Sequence, residues 1–313
     1  MFEISKIILV MFLWAICFPL IVAGFAYAPH LTFAALRAFV AGGALVAVGL
    51  LLGRSWPRGL RVWITLVFVG LGATSLAFLG MFHASEFVSP GIATVIANSQ
   101  PLMAAVLAAM FLGEYIDLRG KIGLALGFSG IVFIALPQLA TSNAQSYLEG
   151  IGYILLAALG ISVSNVLIRR IAPQVDALMA MGAQLVIGGV PLAIGAFMLE
   201  DPRTIVWSYE FILILLGISL FGSSLVYWLW SEILKKTELS RANVFSFLVP
   251  VFGLSLGALF FNERIGWFEI IGIGLSLAGI ALARGSGTEK KPPQRLPLVV
   301  PERNKVPHGN QSH

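Results

Sequence analysis

Charge is scarce in this chain. Of its 313 residues only 11% are Asp, Glu, Lys or Arg, against about 25% in an ordinary soluble domain. So few charges cannot clothe a water-facing surface, and 58% of the residues are hydrophobic, with a mean hydropathy of +0.92. A soluble enzyme, a nucleic-acid reader and a disordered chain are excluded, and a polytopic membrane protein is implied. Cysteine is nearly missing as well. Cys17 stands alone, which excludes an internal disulfide and a cysteine metal cluster. Strict alternation of apolar and polar residues is missing too, so the apolar runs read as helices rather than barrel strands.

The third shortage is of buried acid. Apart from Arg37, no apolar run holds an Asp, Glu, Lys or His away from its ends; His83 stands at a run's end near Glu86. Proton- and sodium-coupled carriers often use an intramembrane carboxylate, so its absence favours facilitated diffusion or exchange. An intramembrane enzyme needs positioned acid–base groups or metal ligands, and no such set appears. Neither a cofactor nor a metal nor a nucleic-acid partner is expected.

Ten runs are long enough to span a bilayer, which takes about 20 residues. They cover 7–27, 31–52, 62–82, 88–112, 122–139, 150–168, 178–198, 211–230, 242–261 and 267–283. The first run, with Lys6 before it and Ala26-Tyr27-Ala28 at its end, also has the form of a signal peptide, though it is long for one. With the N-terminus inside, 17 of the 20 Lys and Arg fall on the inner face, Arg203 and Arg264 fall outside, and Arg37 lies within a span. That bias places both termini in the cytoplasm of a plasma (inner) membrane protein. The proline-rich basic tail, 285–313, reads as disordered, either solvated or resting on anionic lipid.

The chain repeats itself at an offset of 149 residues. Pro101 through Glu114 aligns with Pro250 through Glu263, Gly123 and Gly130 fall on Gly272 and Gly279, and Ala93 falls on Ala242. Five spans per unit is an odd number, so the second unit enters the membrane upside down, as in transporters with a midplane site between inverted repeats.

These residues resemble the EamA family of the drug/metabolite transporter superfamily. The resemblance rests on Pro101 to Gly113-Glu114, Pro250 to Asn262-Glu263, the glycine-rich helix after each, Trp14-Ala15 and Leu36-Arg37. It implies an all-α membrane protein of ten helices in two inverted five-helix EamA repeats, 7–139 and 150–284, that transports small metabolites, commonly outward. The halves differ where Val163 faces Trp14 and Val186 faces Arg37 at the offset.

Candidate site residues follow from polarity at depth. Pro101 and Pro250 lack an N–H and release the carbonyls of Ala97 and Ser246, giving either a kinked, polar lining for a central path or a kink satisfied by neighbouring helices; both allow a hinge. Asn98, Ser99 and Gln100 form the most polar run inside any span, with Asn98 about 15 Å from the outer edge. They either line a cavity or bond between helices. Arg37, about 9 Å inside its helix end, either holds a carboxylate or phosphate or snorkels to headgroups. Trp14 and Phe18, four apart on one face, wall a cargo or pack the core. Ser162, Asn165 and Gln184 carry the same two readings as Asn98. Tyr227 can face the path, whereas Trp228 and Trp230 read as an aromatic belt. The Gly123/Gly127 pair allows close helix contact, within the fold or across a homodimer. The combined reading is a carrier of small organic metabolites such as amino acids, an exporter or exchanger working by alternating access. A channel-like or lipid-handling protein and a non-transporting interaction protein are its rivals.

Overall fold

A long apolar run in lipid can satisfy its peptide groups by itself only as a helix. A computed structural model describes residues 2–112, 118–139, 144–236, 242, 244–261 and 266–284. The ends of both Pro-to-Glu motifs (Gly113-Glu114 and Asn262-Glu263) and the tail 285–313 lie outside them. Among the described residues every element is helical.

In chain order these are α1 (Phe2–Ala15), α2 (Cys17–Gly24), α3 (His30–Leu51), α4 (Leu60–Gly70), α5 (Ala77–Ala84), α6 (Pro90–Ala97) and α7 (Gln100–Leu112). Then follow α8 (Leu118–Leu139), α9 (Ala144–Ile171), α10 (Ala177–Leu199), α11 (Tyr209–Leu216), α12 (Val226–Lys236), α13 (Leu248–Phe261) and α14 (Trp267–Arg284). Six continuous stretches are long and apolar enough to cross a membrane: Ser5–Gly24, His30–Leu51, Leu60–Ala84, Gln145–Gln174, Ala177–Leu199 and Tyr209–Lys236. The run at 122–139 lies within α8 and that at 267–283 within α14, while 88–112 is divided between α6 and α7.

Proline accounts for three interruptions. Pro19 cannot donate to Ala15, and the helix turns at Ile16 between α1 and α2. Pro101 cannot donate to Ala97, and the chain steps through Asn98 and Ser99 between α6 and α7. Pro250 cannot donate to Ser246, and a 3₁₀ turn, Val244–Phe247, precedes α13. Pro191, by contrast, sits inside α10 without dividing it.

Two wider turns have no proline. Leu71–Leu76 joins α4 to α5 and Gly217–Leu225 joins α11 to α12, both as π-helix. A π turn bonds i to i+5 and is common at functional sites; here the Ala77 N–H reaches Gly72 O. A hydroxyl lies beside the loosened ladder, Ser224 Oγ standing 3.1 Å from Ser219 O.

Packing fixes these features in place. Antiparallel α3 and α10 are tied at both ends. Glu200 accepts from the Leu31 and Thr32 N–H groups at 2.7 and 2.8 Å, capping α3, which has only Pro29 at its own N-cap. At the other end Arg54 lies 3.8 Å from Asp176, which caps α10. The Gly123/Gly127 pair is used inside the fold: a Cβ on Gly279 would press against Gly127 N and Gly123 O, so only glycine lets α14 approach α8 this closely.

Candidate functional site

Polar side chains within these helices must find partners in the protein. The interruptions and π turns supply them. Arg37, on α3, is 2% exposed. Its Nε donates to Ser223 Oγ at 2.8 Å, and its Nη2 points to Gly222 O at 3.2 Å and Cys17 Sγ at 3.4 Å. Its Cζ stands 4.2 Å over the ring of Phe78. The snorkelling alternative is therefore corrected. The guanidinium turns inward because the π turn presents a carbonyl and a hydroxyl to it. Gly222 is needed there, since a Cβ would stand 2.8 Å from Cys17 Sγ.

A parallel set joins the other π turn to α10. Thr74 Oγ1 donates to Gln184 Oε1 at 2.8 Å, and Ser75 Oγ to Gly188 O at 2.7 Å. Ser224 Oγ donates to Ala41 O at 2.8 Å, and the Tyr227 hydroxyl to Ala73 O. Sequence reasoning named Arg37, Gln184 and Tyr227 but missed Thr74, Ser75, Ser223, Ser224, Cys17 and Phe78. A signal was present: Thr74-Ser75 and Ser223-Ser224 stand 149 residues apart, on the repeat offset.

The third set gathers at the α6–α7 step. Asn98 Nδ2 donates to Ser246 O at 2.7 Å. That is one of the two carbonyls the prolines were expected to release, and it is met across the fold by the residue at the other break. Ser162, on α9, donates to Ala158 O at 2.7 Å and reaches Gln100 O at 3.0 Å. Asn98, Ser99, Gln100 and Ser162 are thus brought together, with Pro101 buried beside them.

Asn165, one turn beyond Ser162, accepts from Trp230 Nε1 at 3.0 Å. Trp230 is 1% exposed and meets the Trp14 ring edge-on, centroids 5.2 Å apart. The belt reading of Trp230 is corrected: its N–H has an acceptor inside, so the ring packs inward. Trp228 is only half-buried. The turn at Ile16 also separates Trp14 from Phe18. Trp14 packs against the apolar cluster that holds Met11 and Trp230, whereas Phe18 belongs to a second cluster with Ala93, Ile96 and Ile154. They do not wall one surface together.

Eight side-chain atoms are shielded yet unpartnered among the described residues, most of them in these sets, here called the polar seam: Arg37 Nη1, Asn98 Oδ1, Ser99 Oγ, Gln100 Nε2, Asn165 Nδ2, Gln184 Nε2, Ser219 Oγ and Ser231 Oγ. Two amides are fixed by their partners. The Trp230 N–H can only donate, so Asn165 presents its nitrogen; Ser246 O can only accept, so Asn98 presents its oxygen. Buried polar groups are normally paired. Three of these exceptions, Asn98 Oδ1, Ser99 Oγ and Gln100 Nε2, stand together at the α6–α7 step, a set suited to taking a polar molecule.

The profile of the EamA-like transporter family matches residues 1–136 and again 148–285. A chloroplastic WAT1-related protein of Arabidopsis thaliana is 31% identical over 80% of this chain, a match spanning 61% of that protein's length. An uncharacterized transporter of Bacillus subtilis is 30% identical, covering 89% of this chain and 90% of the relative. A probable amino-acid metabolite efflux pump of Escherichia coli is 26% identical, over 87% and 91%. A crystal structure with 19% identity has the same fold, with a TM-score of 0.68 over 90% of this chain and 97% of the other.

Proposed function

This chain belongs to the EamA-like transporter family and is a membrane transporter, and from that premise we propose that it moves small organic metabolites such as amino acids by alternating access. It works as an exporter or exchanger in a plasma (inner) membrane, with both termini cytoplasmic. Ten helices form two inverted units, 7–139 and 150–284.

The observation that carries the reading is the bond from Asn98 to Ser246 O. It joins two helix breaks that share one place in the repeat, each set by a proline. Interrupted helices meeting at the interface of repeats are the setting of a midplane transport site. The paired π turns and the paired family matches support the same two units. The relative named as an amino-acid metabolite efflux pump supports the cargo class. In this reading Arg37, Asn98, Gln100, Ser162, Asn165 and Gln184 contact cargo, with Ser99 and Tyr227 around them, while Trp14 and Phe18 border the path from two separate apolar clusters. Pro101 and Pro250 are the hinges.

Purified protein in liposomes, loaded in turn with a panel of metabolites, tests this. Saturable flux of at least one cargo, stimulated by the same cargo on the opposite side, is expected. Flux that rises linearly and shows no counterflow would indicate a channel or lipid-handling protein. Folded protein with no flux of any cargo would indicate a non-transporting role.

A further inference from the structure

The chemistry of the cargo is written in the charge balance of the seam, an inference that rests on the transporter reading and sharpens it. A guanidinium remains charged in proteins. Arg37 carries that charge at 2% exposure among neutral partners only: Ser223, Gly222 O, Cys17 and the Phe78 ring. Cys17 is itself bonded as a thiol, directed at Leu13 O and Gly222 O. Arg54 pairs with Asp176 and Lys235 with Glu232, and no ion pair among the described residues includes Arg37. Its Nη1 is shielded and makes no hydrogen bond.

A buried ion without a counter-charge is costly. An arginine serving only as a strut would fill its fork with carbonyls or a carboxylate; this one keeps an edge empty. The rest of the fork is held still, Nε by Ser223 and the plane by Phe78.

We infer that Arg37 is an anion-binding residue of the transport path, taking the carboxylate or phosphate oxygens of the cargo on Nη1. The cargo then brings the missing negative charge into the seam. This explains how a path with no buried acid of its own among the described residues can hold a permanent cation.

The test uses the purified full-length protein in detergent. Its melting temperature is followed while sodium acetate or sodium phosphate replaces sodium chloride at constant ionic strength and pH. In wild type at least one probe raises the melting temperature saturably above chloride. An acetate response alone assigns a carboxylate cargo, and a phosphate response alone a phosphorylated one. Arg37→Gln abolishes the response. Arg37→Lys retains it with a midpoint about tenfold higher, the loss of one charge-assisted hydrogen bond. Identical behaviour in all three salts overturns the proposal, and so does a probe-specific rise that survives in Arg37→Gln. If that variant does not fold, the lysine variant decides: an unchanged midpoint overturns the proposal. Liposome flux keeps the two readings apart. Saturable flux of a neutral metabolite without competition from acids sinks the anion site and leaves the transporter standing. An Arg37-dependent salt response without any flux leaves the site standing and sinks the transport cycle.

Discussion

Replacing Asn98 with alanine is expected to slow saturating flux about 5- to 150-fold, the range that about 1–3 kcal/mol covers in an equilibrium. The side chain meets the Ser246 carbonyl at 2.7 Å, where Pro250 has removed the usual helical donor. Losing that bond in a shielded seam destabilises the closed packing in which the two breaks touch. In the proposed alternating-access cycle transport passes through that packing, so the loss falls on turnover. Asn98→Asp keeps an acceptor but not the donor and should be at least as slow. The check is the initial rate at saturating cargo in liposomes of matched protein content. A fall in melting temperature with unchanged flux would make Asn98 a structural strut.

Trp230→Ala should destabilise the protein by about 3 kcal/mol or more, as large-to-small core substitutions do. The ring is 1% exposed, stands 5.2 Å from Trp14 and donates to Asn165. Truncation opens a void that forfeits dispersion contacts and strips Asn165 Oδ1 of its donor. Trp230→Phe separates the two effects. It keeps most of the ring and should lose only about 1–3 kcal/mol, the cost of an unpaired buried acceptor. Unfolding in denaturing detergent measures both. A belt residue at the lipid boundary would tolerate either change, so small losses would restore the interfacial reading of Trp230.

These residues mark where the sequence could be read and where it could not. The apolar runs were legible because lipid imposes helix on any long apolar stretch. The breaks at Asn98–Ser99 and before Leu248 were legible because proline removes one specific hydrogen bond. The Gly123/Gly127 contact was legible as contact, but its partner Gly279 needed the fold. The π turns were hidden: one extra residue per turn leaves hydropathy unchanged, so Thr74 and Ser223 passed as ordinary small polar residues. The inward direction of Arg37 followed from that same hidden turn. Trp14 and Phe18 looked like one face because four-residue spacing assumes an unbroken helix, and Pro19 had already broken it. Trp230 looked interfacial because its acceptor, Asn165, lies 65 residues away in the chain.

The central claim is that the seam around the α6–α7 step opens alternately to the two sides of the membrane. A single cysteine at that step tests it: Ser99→Cys in a Cys17→Ser background, reacted with a small charged methanethiosulfonate added to one side of sealed vesicles. Ser99 is buried and its hydroxyl unpartnered, so the exchange of oxygen for sulfur is mild. The account predicts modification from either side, with a transported cargo slowing one rate while it speeds the other. Reaction from one side only, or from neither side whatever cargo is present, would contradict it.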